Sequence, residues 1–173
     1  MIDYKSQNSP YMLKNGTEHT ACEKNALHRA AAHQKRGEYA EAGTIYNEIL
    51  RFDPQNTSAL FDFGMLSQKL ESPDHALLFF TKTIEIDKKH VSAYVERGHL
   101  LRKSDRFEEA FSDYSLALKI DPYSFGALVG RGLLFGHISQ FENAIKDFDR
   151  AIELKPNSAD ALYNRALAHS KIR

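Results

Sequence analysis

One frame recurs every thirty-four residues along most of this chain, and that period sets what the chain can fold into. Ala42, Ala76, Ala110 and Ala144 stand at equal spacing, as do Gly64, Gly98 and Gly132. The aromatics Tyr46, Phe80, Tyr114 and Phe148 keep the step, and Pro54, Pro122 and Pro156 keep it with Lys88 in the remaining slot. Inside each unit, apolar residues return at intervals of three and four, as in Phe107, Ala110, Phe111, Tyr114, Ala117 and Leu118. That is helix periodicity, not strand alternation. One helix pair cannot bury its apolar face alone, so units of this length stack and share a core.

The frame divides the chain into a flexible polar lead at 1–22, helical toward its end, then units at 23–56, 57–90, 91–124 and 125–158, and a partial unit or capping helix at 159–173. First helices are expected near 24–36, 58–69, 92–104, 126–138 and 160–171, and second helices near 40–52, 74–86, 108–120 and 142–154. Ser72-Pro73 offers a cap and a first-turn proline. Asp53-Pro54, Asp121-Pro122 and Lys155-Pro156 stop the helices before them. Small residues at Ala30, Gly64, Gly98, Gly132 and Ala166, with the alanines of the second helices, let the two helices approach closely.

These landmarks resemble the tetratricopeptide repeat family over residues 23–173. The resemblance implies an all-α, right-handed superhelical solenoid of antiparallel helix pairs, four full repeats and part of a fifth. It also implies that the first helices line a concave face, where family members bind a peptide or a partner helix. The chain departs from the pattern at Ala26, where a larger residue is usual, at Lys88, which replaces proline, and at Glu71, which replaces the mid-turn glycine.

Family geometry places three rows in the groove. Leu27, Phe61, Val95, Val129 and Tyr163 form one, and Ala31, Met65, His99, Leu133 and Leu167 the next; both are mostly apolar. A third row, His28, Asp62, Glu96, Gly130 and Asn164, is mixed. The candidate partner-binding residues are therefore Leu27, Phe61, Met65, Val95, His99, Val129, Gly130, Leu133, Tyr163 and Leu167. An apolar groove predicts an apolar or amphipathic ligand. Co-chaperones of the family clamp a C-terminal carboxylate with Lys, Asn and Arg; the matching places here hold Leu27, Ala31, Asp62, Ser92 and Glu96, so that clamp is absent. Gly126, Gly130 and Gly136 are extra glycines in one first helix. Each costs about 0.5–1 kcal/mol against alanine. By the frame, Gly126 and Gly130 face the groove and leave room for a close backbone approach or a pocket beside Val129, Leu133, Tyr163 and Leu167.

Arg29, Arg97, Arg131 and Arg165 share one slot, with Phe63 in the second unit, and Ile45, Phe79, Asp113 and Asp147 lie sixteen residues after each of the first four units' members. Pairing into the next unit, Asp113 with Arg131 and Asp147 with Arg165, is the favoured scheme, with Arg97 over Phe79 as a cation–π contact. Pairing within a unit is the alternative. Either way the arginines set packing register.

Other chemistry is not written here. No phosphate-loop, His-Glu-x-x-His or paired-cysteine pattern occurs, so no cofactor and no metal are expected. His28 and His33 are five apart, wrong for one helix face, while His99 and His137 are placed at the groove. Lys plus Arg equals Asp plus Glu at 23 each, which argues against a nucleic-acid or anionic-membrane binder. No apolar run reaches membrane-spanning length and the first residues carry no hydrophobic signal core, which points to the cytoplasm. Cys22 alone cannot form an internal disulfide. Leu162, Ala166 and His169 stand where a second helix would cover them, which suggests a fragment of a longer repeat protein or self-association through the C-terminal helix. The reading is a non-catalytic scaffold or adaptor that binds a peptide or amphipathic helix. The alternatives are the targeting arm of a larger enzyme or complex and a self-associating structural repeat.

Overall fold

A computed structural model describes the backbone of residues 16–172 and the side chains of 23–172. Its described residues form nine helices and no strand: α1 (Gly16–Arg36), α2 (Tyr39–Phe52), α3 (Thr57–Lys69), α4 (Pro73–Ile86), α5 (Val91–Lys103), α6 (Phe107–Ile120), α7 (Phe125–His137), α8 (Phe141–Leu154) and α9 (Ala159–Ile172). The architecture is an all-α helical repeat. The helices gather into two compact units, α1–α4 and α5–α9. Residues 16–22, at the end of the lead where helix was expected, extend α1; the rest of that lead, 1–15, lies outside the described residues.

Each first helix ends the same way. Gly37, Glu71, Asp105 and Ser139 adopt φ of +79, +53, +57 and +61°. The next residue's N–H then reaches back to the last turn: Glu38 to the His33 carbonyl at 3.0 Å, Ser72 to Ser67 at 2.9, Arg106 to Leu101 at 2.9 and Gln140 to Phe135 at 2.8. This is the six-to-one bond of a left-handed helix stop. Three of the four repeats make it without glycine, so Glu71 leaves the turn intact. Between repeats, the carboxylates of Asp53, Asp87 and Asp121 accept the N–H two residues on, at 3.1, 2.9 and 2.9 Å. That side-chain turn fixes the chain by itself. It explains why Lys88 can replace proline after Asp87. Asn56 Oδ1 and His90 Nδ1 then cap α3 and α5 by accepting from Ala59 and Ala93 N–H at 3.0 and 3.2 Å.

The repeated glycines are where backbone meets ring. A Cβ at Gly64 would come within 2.6 Å of Phe80 Cε1, at Gly98 within 2.8 Å of Tyr114 Cε1, and at Gly132 within 2.8 Å of Phe148 Cε1. Phe80 and Tyr114 are fully buried and Phe148 nearly so. In the first unit Tyr46 fills this place beside Ala30, in a core with Ala26, Ala42, Ile45, Ile49, Ala59 and Leu66.

The arginine slot pairs within the repeat, which corrects the favoured scheme. Arg97 donates to both oxygens of Asp113 at 2.8 and 2.7 Å, and Arg131 to both of Asp147 at 2.7 and 2.8 Å. Phe63 stacks on Phe79 with centroids 4.4 Å apart in the same relation. The reason is the hairpin. Residues 97 and 113 are equidistant from the left-handed Asp105, 131 and 147 from Ser139, and 63 and 79 from Glu71. Positions equidistant from the reversal lie at equal height on the two helices. Arg165, expected to take Asp147, donates instead to Asp149 at 2.9 Å. The cation–π contact seen for Arg97 is with Tyr94, at 5.8 Å to the centroid.

Two outcomes follow from these contacts. Glu71→Gly, Asp105→Gly and Ser139→Gly should each raise the unfolding free energy in urea by up to about 1 kcal/mol, the left-handed penalty less glycine's entropy, while Gly37→Ala lowers it. Asp113→Ala should cost about 3 kcal/mol by stranding a half-buried guanidinium, and Arg97→Met with Asp113→Leu should recover most of it; the ring pair at Phe63 and Phe79 shows that this slot accepts an apolar couple.

Candidate functional site

In the first unit, Leu27 on α1 and Phe61 and Met65 on α3 stay half-buried. Phe61 and Met65 are one helical turn apart and share a stripe. Leu27 rests on the Ala26–Ala30–Tyr46 core, and the Phe61 ring lies 5.6 Å from that of Phe80. What remains open is apolar.

The second unit carries the other named residues on α5, α7 and α9. Val129 and Leu133 lean on the core of Ala144, Phe148 and Ala168 and remain half-open. Tyr163 is 68 % and Leu167 44 % exposed. Two of the expected groove residues are instead closed in. Val95 is only 7 % exposed, and a Cβ at Gly126 would sit 2.9 Å from its Cγ1. Gly130 is buried, and a Cβ there would fall 2.6 Å from Tyr114 Cε1. The Tyr114 ring is thus held between Gly98 on α5 and Gly130 on α7. The extra glycine admits this chain's own tyrosine rather than a ligand.

Room exists one level further along α7. A Cβ at Gly136 would meet nothing within 4 Å. There an open cleft of about 590 Å³ is lined by Leu133, Gly136, Phe148, Asn164, Leu167 and Lys171. Its lining mixes apolar and polar side chains. The sequence signal for it was the third extra glycine, whose neighbours the frame alone could not identify.

His99 sits 3.7 Å from Glu96, with its ring 5.6 Å from that of Tyr114. The His137 ring lies tilted against Phe107 with centroids 4.2 Å apart. That places it at the edge of a second, aromatic recess of about 370 Å³ lined by Phe107, Phe111, Leu134, Phe135 and Ile138, which sequence reasoning missed. Burial pushes the Tyr114 hydroxyl up to about 12 against the opposing pull of the Arg102 guanidinium beside it. Among the described residues neither that hydroxyl nor Arg102 Nε makes a well-formed hydrogen bond, though the guanidinium lies close enough to act on the phenol oxygen as a donor. On α9, Leu162 is 39 % exposed and Ala166 and His169 are also exposed, whereas Leu128, the matching residue of α7, is fully buried.

Among the described residues no three His, Cys, Asp or Glu side chains gather as a metal site, and no helix is long and apolar enough to cross a membrane. The glycines supply the sharpest stability test. Gly130→Ala should cost about 1–3 kcal/mol by overpacking against Tyr114. Gly136→Ala, into open space, should stabilise by about 0.5–1 kcal/mol. Urea unfolding of the two variants side by side checks the contrast.

The comparisons with known proteins agree with this geometry. Residues 91–124 match the family model described as tetratricopeptide repeat, and residues 138–172 match one described as TPR repeat. No curated protein matches the sequence. Among solved structures, MamA is similar over 87 % of this chain and 82 % of its own, with 20 % identity and a TM-score of 0.77. YrrB, described as a TPR protein with an unusual peptide-binding site, is similar over 87 % of this chain and 77 % of its own, with 21 % identity and a TM-score of 0.70. The first TPR of Spaghetti (RPAP3), solved bound to the HSP90 peptide SRMEEVD, is similar over 69 % of this chain and 95 % of its own, with 25 % identity and a TM-score of 0.66. Residues 91–124 and 138–172 thus carry tetratricopeptide repeats and the helix order agrees with them; proteins of that family are in general non-catalytic modules of protein–protein interaction.

Proposed function

We propose that this chain is a scaffold or adaptor that holds a peptide or amphipathic helix of a protein partner against the open stripes of its first helices. The observation that carries the reading is the cleft at Gly136, where Leu133 and Leu167 remain accessible beside Asn164 and Lys171. It has the apolar depth to take a side chain and polar groups to orient a backbone. Leu27, Phe61 and Met65 offer the same kind of surface in the first unit. The peptide complex of RPAP3 and the peptide-binding site named for YrrB support this use of the fold. The family's charge clamp plays no part, since Leu27, Ala31, Asp62, Ser92 and Glu96 stand at its positions.

Self-association is the second reading. It rests on α9, where Leu162, Leu167 and Ile172 are 39, 44 and 46 % exposed.

A display library of amphipathic sixteen-residue peptides, selected on the wild-type protein, tests the first reading. Leu133→Asp should weaken a peptide seated on the second unit, and Met65→Asp one seated on the first, by ten-fold or more with circular dichroism unchanged. Binding indifferent to both variants would sink it. Light scattering across protein concentration reads the second: a mass that stays monomeric excludes pairing through α9.

A further inference from the structure

The aromatic recess beside His137 is built by α6, α7 and the turn after α7. Leu134 is nearly enclosed there at 4 % exposure, while Phe111 and Ile138 stay 36 and 54 % exposed. Phe111 meets Phe135 edge-on with centroids 5.3 Å apart. The recess holds about 370 Å³, the small end of ligand sites, which run from about 300 to 1,000 Å³. It has room for a side chain, not for a helix.

Two of its phenyl rings belong to this junction alone. The slot of Phe111 holds Gly43, Leu77 and Ile145 in the other repeats, and that of Phe135 holds His33, Ser67, Leu101 and His169. Core packing does not account for Phe111 and Ile138, which face solvent although burial of such groups is favourable. Charge indicates what would cover them. Glu108 is the one charged side chain in the lining, and it is exposed. No hydrogen bond or ion pair holds its carboxylate among the described residues. The arginines on these two helices are committed elsewhere: Arg106, at the start of α6, forks Glu109, and Arg131 on α7 forks Asp147. The Arg131 guanidinium also lies 5.7 Å from the Phe135 centroid, so one of these rings already attracts a guanidinium.

We infer that this recess receives an arginine side chain of a protein partner, its stem laid along the phenyl rings and its guanidinium on the Glu108 carboxylate. A neutral apolar side chain would desolvate that carboxylate and leave it unmatched, a cost that a cation removes. Arginine suits the place better than lysine. Its planar, weakly hydrated guanidinium stacks on aromatic faces and engages a carboxylate through two N–H groups. The open edges of Phe111 and Ile138 call for apolar residues beside that arginine in the partner. This contact is separate from the cleft at Gly136, with which it shares no lining residue. It stands whether or not a peptide occupies that cleft.

Both test variants borrow residues the repeat already uses. Ala40 stands in the slot of Glu108 and Leu77 in that of Phe111, so Glu108→Ala and Phe111→Leu should fold. The probes are N-acetyl-arginine amide and N-acetyl-norleucine amide, which keeps an aliphatic stem and lacks the charge. They are titrated at about pH 8, where an ordinary imidazole beside the site is neutral. The Ile138 methyl NMR signals should shift and saturate with the arginine probe, while those of Ile49, buried in the first unit, stay still. The arginine probe should bind several-fold more tightly than the norleucine probe, and its affinity should fall several-fold in each variant. Leu167→Asp, in the other cleft, should leave it unchanged. Equal binding of the two probes, or no saturable shift at Ile138, overturns the inference. Loss of binding in Leu167→Asp overturns it by placing the probe in the other cleft. For the partner itself, a sixteen-residue peptide display library is selected on the wild type. Peptides recovered there and depleted on Glu108→Ala should share an arginine flanked by apolar residues. No depleted set, or one without arginine, overturns the proposal and leaves the groove reading untouched.

Discussion

An aromatic ring pressed against bare backbone is the contact on which the second, third and fourth repeats of this protein depend. Phe80 on Gly64, Tyr114 on Gly98 and Phe148 on Gly132 leave less space than one methyl group requires. The second helix of each pair therefore sits close enough to the first for its ring to be wholly enclosed. That closeness in turn sets the height at which Arg97 meets Asp113 and Arg131 meets Asp147. Burial of the ring supplies the driving force, since large aromatic surfaces dominate such cores. The ion pairs and the stacked Phe63 and Phe79 then share one job in different chemistry, which is to lock the two helices in register.

Much of this was written in the chain, and the reason is periodicity. A property repeated at a constant step can be recognised without knowing any neighbour. Helix bounds came within a residue or so because the turn chemistry, Asp53, Asp121 and the residues after each first helix, is local. The lead was read as helical toward its end, but the exact start of α1 stayed open because residues 16–22 lie outside the repeat and carry no frame. Contacts between helices were harder. Asp113 could reach Arg97 or Arg131 by counting alone, and only the position of the left-handed residue midway between partners decides. That residue was hidden by Glu71, Asp105 and Ser139, three side chains that seldom adopt such a conformation.

The site was less legible than the fold. The rows named from family geometry mix residues with different fates: Leu133 and Leu167 stay open, Val95 is closed, and Gly130 serves Tyr114. A single sequence cannot separate them, because glycine looks alike whether it makes room for a ligand or for a neighbour.

Tyr114 carries a constraint on how this protein can change over generations. With backbone on both sides, at Gly98 and Gly130, the ring leaves no small step open at either glycine. A side chain gained at either glycine must follow, not precede, a shrinking of residue 114. The three should drift as a linked set, so that the third and fourth repeats inherit together, whereas Asp62, which stands in the slot of Gly130 after Tyr46, leaves the first and second repeats without that tie.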